Sequence, residues 1–163
     1  MKKLLFVCTG NTCRSPMAAA LARRELAERG LAERVEVASA GLCAHPGEGP
    51  SPQAVAVMSE LGIDLRGHRA GQLTPQDAAG ADLVLVMTAG HRRAVREMAP
   101  EAGDKIHTLA AYAGEEKDVP DPFGGSTAVY RRCVEEMRPL VARAVDRLIR
   151  EWFPERAGDG AGG

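Results

Sequence analysis

The chain has 163 residues, 45% hydrophobic but only 4% aromatic, so Ala, Leu and Val must build its core. With 21 basic against 22 acidic residues the formal charge is −1, which argues against nucleic acid or an anionic membrane as the main partner. No apolar stretch approaches the ~18 residues of a membrane span, and the run after Met1-Lys2-Lys3 is too short for a secretory signal.

In chain order, Leu4-Leu5-Phe6-Val7 predicts a short buried strand. It runs into Cys8-Thr9-Gly10-Asn11-Thr12-Cys13-Arg14-Ser15, and Pro16 is a favoured first residue of a helix. A helix is expected from Pro16 to about Gly30, a second strand over Val35–Ala38, and a Gly/Pro-rich loop over Gly41–Pro50. Helices follow from Pro52 to about Leu61 and, capped by Leu73-Thr74-Pro75, through Ala79. Leu83–Met87 predicts a third strand, Ala89–Met98 a helix, Ile106–Leu109 a fourth strand, and Thr127–Trp152 a long last helix after a loop over Ala113–Gly125. The glycine-rich tail over residues 155–163 is expected to be disordered, leaving residues 1–154 as one domain. Strands alternating with helices imply an α/β fold: a parallel sheet covered on both faces, with ligands beyond the carboxyl ends of its strands. Cys8 stands at such an end.

The loop after the first strand has the chemistry of an anion cradle. A tight strand-to-helix connection aims main-chain N–H groups and a helix dipole at one point. A thiol there loses its proton below the usual value of about 8.5, and a guanidinium such as that of Arg14, six positions on, matches two phosphate oxygens. Gly10 permits a backbone that a side chain would forbid. The residues suggest a cysteine nucleophile attacking phosphorus, with Thr9, Gly10, Asn11, Thr12, Cys13, Arg14 and Ser15 around the phosphate. A thiolate enzyme needs a reducing compartment, hence the cytoplasm. The four cysteines (Cys8, Cys13, Cys43, Cys133) lack zinc-site spacing, and neither metal nor organic cofactor is expected.

Cys-Thr-Gly-Asn-Thr-Cys-Arg-Ser-Pro resembles the active-site loop of the low-molecular-weight protein tyrosine phosphatases, and within them most resembles the bacterial protein-arginine phosphatases. The resemblance covers residues 3 to 152. It implies the three-layer sandwich of the phosphotyrosine protein phosphatase I-like fold, a four-stranded parallel sheet flanked by helices. It also implies a general acid in an Asp-Pro-aromatic motif, matched by Asp121-Pro122-Phe123; Asp118 is the rival carboxylate, without the Pro-aromatic pair. Cys8 would attack in line to give a phosphocysteine, Asp121 would protonate the leaving group and then activate water, and Ser15 would ease the departure of sulfur. Family members tie the loop Asn to a Ser after the second strand and to a His, which match Ser39 and His68; His68 otherwise reads as an ordinary surface or core histidine.

His45, His91 and His107 match nothing and read as structural or exposed. Cys13 reads either as packing or, by resemblance, as the thiol that captures oxidised Cys8. Thr12 and Phe123-Gly124-Gly125 resemble the arginine branch, as does Thr88, where tyrosine-branch members often carry Asp. The expected substrates are therefore phosphorylated proteins, phosphoarginine first and phosphotyrosine second, with inorganic phosphate as product and the enzyme a monomer. Met17-Ala18-Ala19-Ala20 departs from relatives that place a Glu after the first Ala. Arsenate reductases share the loop but relay electrons through two mid-chain cysteines, and this chain has none between Cys43 and Cys133. A phosphocysteine carrier would need no acid.

Overall fold

The computed structural model describes residues 1–156. Four parallel strands, β1 (Lys2–Cys8), β2 (Val35–Gly41), β3 (Leu83–Val86) and β4 (Ile106–Thr108), form one sheet in the order β2-β1-β3-β4. β1 is central, and its unbroken apolar run is explained by burial on both faces. Leu4, Phe6 and Cys8 face one apolar cluster, and Leu5 and Val7 face the other. β3 repeats the division, Leu83 and Leu85 against Val84 and Val86.

On the first face lie α1 (Arg14–Glu28), α2 (Pro52–Glu60), the one-turn α5 (Leu109–Tyr112) and the long α6 (Thr127–Trp152). On the second lie α3 (Pro75–Gly80), α4 (Ala89–Met98) and a 3₁₀ turn, Pro100–Lys105. The expected three-layer sandwich is what forms. The chain leaves β1 to one side for β2 and returns on the other side for β3, so the carboxyl end of β1 lies at the switch in strand order.

The differences from expectation sit at element ends and in short helical turns such as α5 and the 3₁₀ turn. β2 continues through Ser39 to Gly41 because its partner β1 dictates the register, Phe6 against Ser39 and Cys8 against Gly41. β4 stops at Thr108, whose hydroxyl accepts from Ala111 N (3.1 Å) and starts α5, an element absent from the sequence reading. Thr88 likewise accepts from His91 N (3.1 Å), ending β3 at Val86. The first helix starts at Arg14 rather than Pro16, which places Pro16 inside its first turn. Of the tail expected to be disordered, Glu155 and Arg156 belong to a further helical turn, with Glu155 paired to Arg34; residues 157–163 lie outside the described residues.

Candidate active site

The loop between β1 and α1 wraps around the Cys8 sulfur. Asn11 N approaches Cys8 Sγ at 3.3 Å and Ser15 Oγ lies 2.9 Å from it. Ser15 Oγ also accepts from Asn11 Nδ2 (2.8 Å), which leaves the hydroxyl hydrogen for the sulfur. Two donors therefore face Cys8 Sγ.

Asn11 is the hub of this arrangement. It is fully buried with φ 58°, a left-handed conformation that Asn tolerates better than most residues. Its amide donates to Ser39 Oγ (2.9 Å) as well as Ser15, and its Oδ1 accepts from Gly71 N (3.0 Å). Ser39 does fall to the loop Asn, although it lies inside β2 rather than after it. His68 also reaches Asn11, but through Nε2 to the main-chain carbonyl (2.7 Å) and not through the amide. Burial, and after it the charges of Arg23 and Arg69, hold His68 below the ordinary histidine value.

Close backbone approach fixes the loop from the β2 side. Leu42 N and Cys43 N donate to the carbonyls of Cys8 (3.0 Å) and Thr9 (2.8 Å). A Cβ on Gly41 would stand 2.7 Å from Thr9 O and 3.0 Å from Asn11 N, so only glycine fits there. The α1 N-terminus carries neither a side-chain cap nor an acidic residue in its first turn, whereas α3, α4, α5 and α6 are each capped by Thr or Ser. Its first turn carries Ser15, whose Oγ meets the sulfur.

Arg14 is 4% exposed, donates through Nη1 to Val119 O (2.9 Å) and lies 3.5 Å through Nη2 from Asp121 Oδ2. Its Nε is buried without a partner among the described residues, an orphan donor of the kind an anion satisfies. The loop carrying Asp121 is hung on the sheet end. Val119 N donates to Met87 O (2.9 Å), and Ala89 N donates to Asp118 Oδ1 (3.0 Å). Asp118 is thus occupied at the start of α4. Asp121, half exposed, accepts from Phe123 N through Oδ1 (3.1 Å) and keeps Oδ2 toward the cavity.

That cavity holds about 360 Å³ and is lined by Cys8, Thr9, Gly10, Thr12, Cys13 and Arg14 from the loop and by Asp121 and Phe123 opposite. Phe123 is 74% exposed at its rim. Cys13 Sγ lies 3.1 Å from Tyr130 Oη and 3.6 Å from Ser51 Oγ; burial first, then the Cys13 contact, push the Tyr130 phenol up to about 12. Cys133 is a core residue whose thiol burial pushes up to about 12.

Sequence reasoning missed several residues. His45 and Glu48, from the Gly/Pro-rich loop, complete the cavity wall. His91, read as structural or exposed, is buried and holds Thr9 Oγ1 at 3.0 Å. Its place just beyond β3 was the available signal, since the carboxyl ends of parallel strands are where sites form. Tyr130 offered no local sign, being 117 positions from Cys13.

The family described as low molecular weight phosphotyrosine protein phosphatase matches residues 3–152. The chain belongs to that family. A protein-arginine-phosphatase of Geobacillus stearothermophilus is 44% identical over 91% of this chain and 97% of its own length. A low molecular weight protein-tyrosine-phosphatase of Streptomyces coelicolor is 41% identical over 95% of this chain and 98% of its own. Among solved structures, a mutant of the arginine phosphatase YwlE with a phosphorylated active-site serine superposes with a TM-score of 0.87 at 38% identity, over 92% of this chain and 97% of that one. This low molecular weight phosphatase is therefore a hydrolase enzyme, and no helix among its described residues is long and apolar enough to cross a membrane.

Proposed function

We propose that this enzyme hydrolyses phosphoarginine in proteins, with Cys8 as nucleophile, Arg14 as phosphate clamp and Asp121 as general acid and base. The observation that carries the chemistry is the Cys8 sulfur, contacted by Ser15 Oγ and Asn11 N, sharing one cavity with an Arg14 that retains a free donor and with Asp121, whose Oδ2 pairs with Arg14. Phosphate oxygens sit on the loop amides of Thr9, Gly10, Asn11, Thr12, Cys13 and Ser15 and on Arg14. The thiolate attacks phosphorus, the bond to the guanidino nitrogen breaks, and Asp121 gives that nitrogen its proton. Asp121, now ionised, takes a proton from water as the water attacks phosphorus, the sulfur–phosphorus bond breaks and inorganic phosphate leaves. Ser15 donates to the departing sulfur, while Asn11, Ser39 and His68 keep the loop in shape. Asp118 is a poor acid by comparison, because it is held at the start of α4 by Ala89 N and does not line the cavity that Asp121 shares with Cys8 and Arg14.

Two points support arginine as the leaving group: Thr12 in the cavity wall, in place of an apolar residue that would pack on a phenyl ring, and the name of the Geobacillus relative. Phosphotyrosine is the second reading, favoured by the Streptomyces relative. Cys13 is assigned as the thiol that captures an oxidised Cys8. The enzyme acts as a cytoplasmic monomer on phosphoproteins, without nucleic acid or cofactor. The test is a side-by-side assay on phosphoarginine and phosphotyrosine peptides. Wild type is expected to prefer phosphoarginine, Thr12→Ile to shift toward phosphotyrosine, Cys8→Ser to be inactive, and Asp121→Asn to lose roughly 10²–10⁴-fold in turnover. A wild type preferring phosphotyrosine refutes the substrate, and an active Cys8→Ser refutes the chemistry.

A further inference from the structure

Thr9 is the residue next to the nucleophile, and its side chain has one partner among the described residues. Its main-chain carbonyl is taken by Cys43 N, whereas its Oγ1 lies 3.0 Å from His91 Nε2. His91 is 9% exposed and is held at the start of α4 by its own N–H, which donates to Thr88 Oγ1. Its second ring nitrogen, Nδ1, is buried without a partner among the described residues. A polar group at that depth needs a reason.

The proton count supplies one. Burial, and after it the positive charge of Arg14, hold His91 below the ordinary histidine value against the opposing pull of Asp121 and Asp118, so the ring is neutral at pH 7. A neutral ring carries one hydrogen. Placed on Nδ1 it would be an orphaned buried N–H, the rarer and costlier defect; placed on Nε2 it leaves only an unused lone pair at Nδ1. The Nε2–H tautomer donates to Thr9 Oγ1, which becomes an acceptor and keeps its own hydrogen free. Thr9 lines the cavity beside Cys8, Gly10 and Arg14.

We propose that Thr9 and His91 form a two-residue device for phosphate binding: His91 orients the Thr9 hydroxyl so that it donates to a phosphoryl oxygen of the substrate. Thr9 touches the substrate, and His91 is a positioning residue acting through it. This adds a side-chain donor to a cradle otherwise made of main-chain amides and Arg14. The inference rests on the reading of this loop as the phosphate site.

The test uses the full chain and inorganic phosphate as the probe. Phosphate protects Cys8 from inactivation by an alkylating agent, and the concentration giving half-protection reports affinity. Thr9→Val should raise that concentration by about tenfold or more, the loss expected for one hydrogen bond to a charged group, and Thr9→Ser should restore it. His91→Phe should match Thr9→Val, and the double variant should be no worse than either alone. Unchanged half-protection in Thr9→Val, or effects of the two single variants that multiply in the double, overturns the proposal. A role in folding alone would lower the unfolding midpoint and leave half-protection where it was, which also overturns it. If His91→Phe does not fold, the Thr9→Val and Thr9→Ser pair decides. Phosphate failing to protect the wild type would instead sink the assignment of Cys8 itself.

Discussion

Asn11→Ala probes the loop hub most directly. The substitution removes three side-chain hydrogen bonds, to Ser15, Ser39 and Gly71, from a fully buried position. At about 1 kcal/mol net each they sum to about 3 kcal/mol. The alanine must also hold φ 58°, which for a residue with a Cβ adds about 1–2 kcal/mol, giving a loss of about 4–5 kcal/mol. Asn11→Gly loses the same bonds but not the conformational term. Glycine's greater freedom in the unfolded chain returns about 0.5–1 kcal/mol of that advantage. Glycine should therefore be the more stable of the two by up to about 1.5 kcal/mol, although it is ordinarily the worse residue. Urea unfolding at equilibrium measures both, and p-nitrophenyl phosphate turnover should fall in both because Ser15 loses the contact that orients its hydroxyl. An alanine variant within about 1 kcal/mol of wild type, or at least as stable as the glycine variant, would refute the hub argument.

Gly41→Ala should lose about 1–3 kcal/mol and most of the activity together, because the atoms a Cβ would strike are main chain of the phosphate loop and have nowhere to retreat; unchanged unfolding and turnover would contradict this. His68, His91 and His107 are all held below the ordinary histidine value, chiefly by burial. Below about pH 6.5 the unfolded chain therefore binds protons that the native state refuses, and stability should fall as pH drops from 7.5 to 5.5, a window in which ordinary carboxylates stay ionised. Urea midpoints equal at the two pH values would show that these rings are not protected from protonation.

The sheet was legible because its strands are buried on both faces and read as apolar runs, Leu4–Val7 and Leu83–Val86, punctuated by turn residues. The loop was legible because its chemistry is contiguous: Cys8, Asn11, Arg14 and Ser15 fall within eight positions. What escaped depends on contacts between distant segments. Nothing near Thr9 indicates a histidine 82 positions away, and nothing near Cys13 indicates Tyr130. Strand ends escaped for a different reason. Ser39 is extended because β1 pairs with it, while Thr108 leaves its strand to cap a four-residue helix too short for periodicity to reveal. His68 was found by likeness, yet its main-chain contact to Asn11 was not foreseen.

The supports of the Cys8 loop come from four widely spaced parts of the chain: Ser39 in β2, His68 and Gly71 before α3, Val119 in the acid loop, and Tyr130 on α6. During synthesis the cysteine emerges among the first residues, long before most of these partners exist. The two groups that face the sulfur, Asn11 N and Ser15 Oγ, are fixed in place only once Ser39, His68 and Gly71 reach Asn11, so the loop takes its final form after β2 and the segment before α3 have been made.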